Sequence, residues 1–126
     1  MKYQETQPKA FQAIIEQITV DKLDAIISDD NYAIIDVRGS SGIEKQGNIP
    51  GAVNMPFESI NAALDRHHKK YDAVFDRDVR FLFCCTGGVM SYMAAIKAQE
   101  QGIKNVYNLE GGHSAWLKYK EAVTAQ

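Results

Sequence analysis

The stretch that most constrains the fold is residues 79–102, which join a buried strand to a helix through a very short glycine loop. Residues 79–84 form an apolar run of β-branched, aromatic and thiol side chains, typical of a strand buried on both faces. From Met90 onward apolar side chains recur at helical spacing as far as Gly102, a residue type that favours helix C-termini. The sequence therefore predicts a strand–loop–helix unit of a parallel α/β sheet.

Cys85 lies in this loop, at the carboxyl end of the strand and directly before Thr86-Gly87-Gly88. Ligands bind at the carboxyl ends of strands in open α/β sheets. Glycines let successive backbone N–H groups converge on one point, and the unpaired amides at a helix start favour an anion there. A thiolate is such an anion and is the reactive form of cysteine. We predict that Cys85 is a nucleophile; the alternative is a small buried hydrophobe, as most free cysteines are.

Cys84 is the direct neighbour of Cys85, and these are the 2 cysteines of the chain. Neighbouring Cα atoms lie about 3.8 Å apart, closer than the roughly 4.4–6.8 Å of ordinary disulfides. Side chains alternate along a strand, so Cys84 is expected to point away from the loop. We interpret it as a core residue, with a transient redox partner for Cys85 as the alternative. No zinc-binding spacing of cysteines and histidines is present, and we expect neither a metal nor a cofactor.

Four motifs follow one another along the chain. They are Ala33-Ile-Ile-Asp-Val-Arg38, Gly47-Asn-Ile-Pro-Gly-Ala-Val-Asn-Met-Pro56, the loop Cys85-Thr-Gly-Gly-Val-Met-Ser91 and Asn105-Val-Tyr-Asn-Leu-Glu-Gly-Gly-His-Ser-Ala-Trp116. In residues and in order they resemble the rhodanese-like sulfurtransferases, whose own loop is Cys-x-x-Gly-x-Arg-Ser. The resemblance covers about residues 18–120 and implies an α/β fold, a five-stranded parallel sheet with helices on both faces. It divides the chain into an N-terminal extension, residues 1–17, and a rhodanese-like domain, residues 18–126.

The resemblance also implies a function for the loop. Cys85 would carry sulfane sulfur as a persulfide and pass it to a thiol or another nucleophilic acceptor. The donor would be a small-molecule or protein persulfide. The residues expected to bind the sulfur are those of the loop, with hydroxyl donors from the first and the last of them: Thr86, Gly87, Gly88, Val89, Met90 and Ser91.

Met90 stands where the family usually has arginine, so the loop carries no charged side chain. Asn48 also replaces a histidine of the family, and one additional residue lies between Arg38 and Gly47. Helix-end dipoles contribute about 0.3–1 kcal/mol each at exposed sites. A lost charge-assisted hydrogen bond costs about 1.5–3 kcal/mol. We therefore expect the dianion thiosulfate to bind poorly and an uncharged or thiol-bound sulfur donor to be less affected.

Two alternatives follow from the same loop. The missing arginine favours a weakly active or inactive rhodanese-like module for binding or redox sensing, whereas the cysteine with both glycines favours an enzyme. A phosphatase or arsenate reductase loop needs arginine after Cys-x5 to bind phosphate. Counting from Cys84 reaches Met90 and counting from Cys85 reaches Ser91. Neither register supplies the arginine, so a phosphatase is excluded.

Length, net charge and hydropathy limit the classes of partner that the chain is expected to bind. The chain has 126 residues, enough for one domain, and a net charge of −2, which gives no electrostatic footprint for nucleic acid or an anionic membrane. No apolar run reaches the ~20 residues needed to span a bilayer. The N-terminal residues lack the apolar core of a signal peptide, which predicts a cytoplasmic protein. Neither a nucleic acid nor a membrane is expected as a partner, and the sequence carries no signal for an oligomeric state.

The remaining patterns predict the elements around the loop. Residues 8–18 place Phe11, Ile14, Ile15 and Ile18 on one face of a short amphipathic helix. We expect a helix over 20–28, a strand over 32–37, a flexible turn over 39–42, a short strand within 49–56, a helix over 57–71, a strand over 105–109 and a helix over 113–122.

Four charged or aromatic features outside the loop are interpreted as structural. Asp36 and Arg38 are expected to form an ion pair that fixes a turn, and residues 66–70 a solvated basic surface. Trp116 is a predicted core residue. His113 is expected to be structural, with a place at the rim of the active site as the alternative.

Overall fold

A computed structural model describes residues 14–125 as one parallel sheet covered by helices. Its strands are β1 (Glu16–Ile18), β2 (Tyr32–Asp36), β3 (Val53–Asn54), β4 (Arg80–Cys84) and β5 (Val106–Leu109). Their order across the sheet is β1-β5-β4-β2-β3, and every neighbouring pair is parallel. The predicted α/β fold with a five-stranded parallel sheet is confirmed, and the predicted central strand, β4, lies in the middle.

Five α-helices occur within residues 14–125: α1 (Leu23–Ile27), α2 (Ser40–Gln46), α3 (Ile60–Leu64), α4 (Val89–Glu100) and α5 (Gly112–Thr124). Three short 3-10 helices lie at Val20–Lys22, Phe57–Ser59 and Ala73–Asp76. No helix in this part of the chain combines the length and the apolar character needed to cross a membrane.

Strand β4 divides the interior into two apolar cores because its side chains alternate between the faces of the sheet. Phe81 and Phe83 pack into the core beneath α3 and α4, together with Cys85. Leu82 and Cys84 pack into the other core, which α1 and α5 cover. Helices therefore lie on both faces, as predicted, and the carboxyl end of β4 emerges between the two layers.

The predicted helix over residues 8–18 is wrong for residues 16–18. These form the edge strand β1, in which Glu16 pairs with Tyr107 and Ile18 with Leu109. Ile15 is buried beside the strand, whereas Ile14 is exposed, so the expected apolar face is not shared. The open edge of β5 offers backbone partners, and this pairing overrides a local helical period. Phe11 lies outside the described residues, and the division at residue 17 stays a prediction.

Two other elements differ from the predictions. The expected turn over 39–42 is part of α2, whose last residue, Gln46, is held by a hydrogen bond to Ser114, 68 residues away in sequence. The expected helix over 57–71 ends at Leu64, and the Asp65 side chain accepts a hydrogen bond from the amide of His67 in a turn. The other predicted strands and helices agree with the structure to within a few residues at each end.

Candidate active site

The sulfur of Cys85 lies at the amino terminus of α4. It accepts a hydrogen bond from the backbone N–H of Gly88 at 3.2 Å and another from that of Ser91 at 3.3 Å. Gly88 is the N-cap of α4 and Ser91 lies in its first turn, where backbone amides have no partner within the helix. Two amides and the positive end of the helix dipole therefore converge on one sulfur atom, an arrangement that stabilises an anion.

The loop is packed against a second glycine turn, at the start of α5. The backbone N–H of His113 donates to the carbonyl of Cys85 at 2.8 Å, and that of Ser114 donates to the carbonyl of Thr86 at 3.0 Å. Gly112 has a φ of 68°, and a Cβ atom on it would lie 2.5 Å from both of those carbonyl oxygens. A side chain at Gly112 cannot fit without displacing the cysteine loop.

A cavity of about 250 Å³ opens above the sulfur. Three segments line it: the loop with Cys85, Thr86, Gly87, Val89 and Met90; the segment from the residue after β2 into α2, with Val37, Arg38, Gly39 and Gly42; and Phe57 with Glu58. Val89 and Met90 are 70% and 46% exposed, so the mouth of the cavity presents apolar side chains to solvent.

Two charged residues line this cavity, Arg38 and Glu58. The Arg38 guanidinium is buried and forms an ion pair with Asp36 at 2.6 Å, and it also donates to the carbonyl of Gly47 at 3.0 Å. The predicted structural pair of Asp36 and Arg38 is therefore present, and it neutralises the guanidinium. Glu58 adds a carboxylate, so the lining has no uncompensated positive charge to offer a dianion.

The structure separates the predicted binding residues into two groups. Thr86, Gly87, Val89 and Met90 line the cavity, whereas Gly88 and Ser91 direct their amides at the sulfur. The expectation that the Ser91 hydroxyl serves a ligand is wrong, because that hydroxyl is buried and donates to the Asn108 side chain at 2.6 Å.

Cys84 is separated from the cavity, as its position in the strand predicts. Its side chain is buried in the core on the opposite face of the sheet from Cys85, and its Sγ lies 3.7 Å from the carbonyl of Ile35. Burial, reinforced by the nearby Asp36 carboxylate, raises the pKa of the Cys84 thiol well above its usual value. Cys84 is therefore a buried core residue, and Cys85 is the thiol that faces the cavity.

Comparison with known proteins identifies the family of the chain. The family model described as "Rhodanese-like domain" matches residues 19–119. The chain belongs to the rhodanese-like family. Its four motifs, noted above as a resemblance, fall within or next to the matched region.

Three proteins that are similar to this chain carry different descriptions. Thiosulfate sulfurtransferase/rhodanese-like domain-containing protein 3 of Mus musculus is 29% identical, over 89% of this chain and 74% of its own. A sulfurtransferase of Allochromatium vinosum is 29% identical, over 89% of this chain and 97% of its own. A protein of unknown function from Rhodopseudomonas palustris, described as a possible tyrosine phosphatase, superposes with a TM-score of 0.77 at 31% identity and covers 84% of this chain and 82% of its own.

Three residues in or behind this rhodanese-like site are not predicted from the sequence. Phe57 and Glu58 reach the cavity from a segment about 30 residues before Cys85, and nothing in their local pattern indicates it. Asn108 lies within a predicted strand and does carry a sequence signal, because a polar amide in an otherwise apolar strand requires hydrogen-bond partners.

His113 is a buried structural residue of the rhodanese-like domain and does not line the cavity. Its Nε2 lies 3.1 Å from the carbonyl of Gln46, which can only accept, so Nε2 carries the proton. Among residues 14–125, Nδ1 has no hydrogen-bond partner. Burial, followed by the nearby Arg38 charge, lowers the pKa of His113 from 6.5. Burial thus favours the neutral imidazole, which lies between the last residue of α2 and the start of α5.

We predict that this histidine makes the fold acid-sensitive. The unfolded chain binds the proton more readily than the folded one, so the free energy of unfolding should begin to fall as pH drops below the unfolded pKa of 6.5. In His113→Gln, whose amide can still donate to Gln46, the decline between about pH 7 and pH 5.5 should be smaller. Urea unfolding at several pH values measures both. Equal slopes in the two proteins would contradict the assignment.

We also predict that Gly112→Ala disrupts the cysteine loop. The added Cβ must displace the carbonyls of Cys85 and Thr86 in addition to the roughly 1–2 kcal/mol cost of a left-handed backbone. Gly102→Ala is the matched control, since Gly102 also has a positive φ, 91°, but open space around its Cβ position. Only Gly112→Ala should slow the alkylation of Cys85, measured with iodoacetamide, while urea unfolding should show both variants destabilised. Equal alkylation rates in the two variants would refute the packing argument.

Proposed function

We propose that this rhodanese-like protein is a sulfurtransferase that carries sulfane sulfur as a persulfide on Cys85. The observation that supports it most directly is the convergence of the Gly88 and Ser91 amides on the Cys85 sulfur at the floor of an open cavity. These donors compensate negative charge on the sulfur without requiring a charged side chain. The proposed site residues are Cys85 as nucleophile and Thr86 to Ser91 as the sulfur-binding loop.

The proposed reaction has two half-steps. Cys85 loses its proton to solvent, and the thiolate attacks the outer sulfur of a donor persulfide; a new S–S bond forms, the donor's S–S bond breaks, and the donor leaves as a thiol. In the second half-step an acceptor thiolate attacks the outer sulfur of the Cys85 persulfide and releases the Cys85 thiolate. The amides of the loop face the sulfur in both half-steps, so no rearrangement of charged groups is needed.

The cavity lining favours a thiol-bound sulfur donor over thiosulfate. Its guanidinium is neutralised by Asp36, its other charge is the Glu58 carboxylate, and its mouth is formed by Val89 and Met90. A dianion would lose hydration on entering and would gain no ion pair. We propose a small-molecule or protein persulfide as donor, a thiol as acceptor, and the cytoplasm, where thiols stay reduced, as the setting.

The similarity to a possible tyrosine phosphatase does not lead us to propose phosphate chemistry. Phosphate recognition by a Cys-x5-Arg loop depends on a bidentate guanidinium, and the loop from Cys85 to Ser91 contains none. The Arg38 guanidinium of the same cavity is engaged by Asp36 through both carboxylate oxygens. Hydrolysis of an aryl phosphate that is lost in Cys85→Ser would overturn this exclusion.

The first test is the intact mass of the protein after incubation with glutathione persulfide and, separately, with thiosulfate. We expect a gain of one sulfur atom with the persulfide donor, absent from Cys85→Ser and retained in Cys84→Ala, because only Cys85 faces the cavity. Transfer of that sulfur to an added thiol should restore the original mass. No gain with either donor would favour the binding or redox-sensing module, and a gain that survives Cys85→Ser would refute the choice of cysteine.

A second test adds an uncompensated positive charge to the cavity lining. Met90→Arg should increase the rate of sulfur loading from thiosulfate by about 10- to 100-fold, as expected for one charge-assisted hydrogen bond of about 1.5–3 kcal/mol. Met93→Arg is the control, because Met93 is exposed to the same extent, 47% against 46%, but does not line the cavity. Loading from glutathione persulfide should change little in either variant. Equal thiosulfate rates for both variants would contradict the proposed basis of donor choice.

A further inference from the structure

The side chain of Asn108 links the two residues that hydrogen-bond the Cys85 sulfur. Asn108 lies on β5 and is fully buried. Its Oδ1 accepts from the Ser91 hydroxyl at 2.6 Å, and its Nδ2 donates to the Gly88 carbonyl at 3.0 Å. Gly88 and Ser91 are the residues whose backbone amides donate to Cys85. One buried amide therefore contacts both of the residues that donate to the sulfur.

We propose that Asn108 is a positioning residue for the reactive sulfur of Cys85. It touches neither the sulfur nor the cavity, and it acts by holding the carbonyl side of Gly88 and the Ser91 side chain in place, and with them the start of α4 from which two N–H groups point at Sγ. The stabilisation of an anion at that sulfur depends on the angle and the distance of those two donors. Asn108 therefore controls how readily Cys85 reacts as a nucleophile.

The orientation of the Asn108 amide is determined by the Gly88 carbonyl, which can only accept, and a third contact agrees with it. Gln17 on β1 is the register partner of Asn108, and its Oε1 accepts from Nδ2 at 2.8 Å. Both neighbours of Nδ2 are carbonyl oxygens, and a flipped amide would place its own oxygen against them. The flip would also leave the Ser91 hydroxyl facing an NH₂ group. The amide therefore has one orientation, which satisfies Gly88, Gln17 and Ser91 together.

The surroundings do not explain an amide at this position by packing alone. Asn108 shares a face of β5 with Val106, which lies in the apolar core beneath α4. A branched aliphatic side chain would fill that layer without any need for partners, whereas a buried amide must have each of its groups satisfied. All three of the hydrogen bonds of the Asn108 side chain end on the cysteine loop or on the strand that orients the amide.

The test compares Asn108→Leu, Ser91→Ala and Val106→Ala, each in a Cys84→Ala background so that one thiol remains. Asn108→Leu keeps the size of the side chain but removes all three hydrogen bonds. Ser91→Ala removes one of them and retains the Ser91 amide. Val106→Ala is the matched control, because it truncates a buried residue on the same face of the same strand whose aliphatic side chain forms no hydrogen bond to Gly88 or Ser91.

The readout is the pH–rate profile of Cys85 alkylation by iodoacetamide. In Asn108→Leu we expect the profile to move to higher pH and the rate at pH 7 to fall by about 3- to 10-fold, since weakened hydrogen bonds to the sulfur no longer favour the thiolate. Ser91→Ala should move it in the same direction by less. Val106→Ala should lower the stability to urea and leave the profile unchanged.

A profile of Asn108→Leu that matches that of Val106→Ala would overturn the proposal. If Asn108→Leu does not fold, Ser91→Ala decides: a profile identical to that of the parent would overturn the proposal. The inference rests on Cys85 being the reactive sulfur of the proposed sulfurtransferase, but alkylation needs no sulfur donor. Failure of sulfur loading with a shifted alkylation profile would therefore reject the proposed function and retain the role of Asn108.

Discussion

The site depends on the contact between two glycine turns, one after β4 and one after β5. The amides at the start of α5 bind the carbonyls of Cys85 and Thr86, so the loop is fixed on one side by its oxygens. On the other side the amides of α4 are free to face the sulfur. Close approach is what allows both: a Cβ on Gly88 would lie 3.0 Å from the nitrogen of Gly111, and a Cβ on Gly112 would overlap the loop itself. The amino terminus of α5 therefore holds the loop, and the amino terminus of α4 donates hydrogen bonds to the sulfur.

The cavity above this contact is not lined like a site for binding a free anion. Backbone dipoles converge on a single atom, Sγ, while the walls supply apolar surface, a neutralised guanidinium and a carboxylate. Such a site stabilises one buried negative charge on the protein and gives little to a second charge on a ligand. The short loop and the sheet beneath it hold the Gly88 and Ser91 amides in place. These donors therefore need not move when negative charge develops on the Cys85 sulfur.

The central unit could be predicted from the sequence because its signals are local. An apolar run, two glycines and a helical period within about 24 residues indicate strand, turn and helix, and the position of Cys85 follows. Strand β1 could not be predicted, since three residues carry no alternation that separates them from a helix. Helix α2 starts within a Gly-Ser-Ser-Gly sequence and is held by a side-chain contact 68 residues away, which no local window contains. The role of Asn108 depends on Gly88 and Ser91, 20 and 17 residues earlier, and on Gln17, 91 residues earlier.

The edge strand β1 is linked to the sulfur of Cys85 by a chain of hydrogen bonds. β1 pairs with β5 over three residue pairs, and the middle pair is Gln17 with Asn108. Short edge strands detach more easily than central ones, because few hydrogen bonds and little apolar area hold them. Detachment of β1 would leave the Asn108 amide with one acceptor fewer, and that amide is itself hydrogen-bonded to the two residues that donate to the sulfur. A short edge strand therefore lies at one end of a hydrogen-bond chain that ends at Cys85, so its local opening at the rim of the sheet would change the reactivity of the thiol.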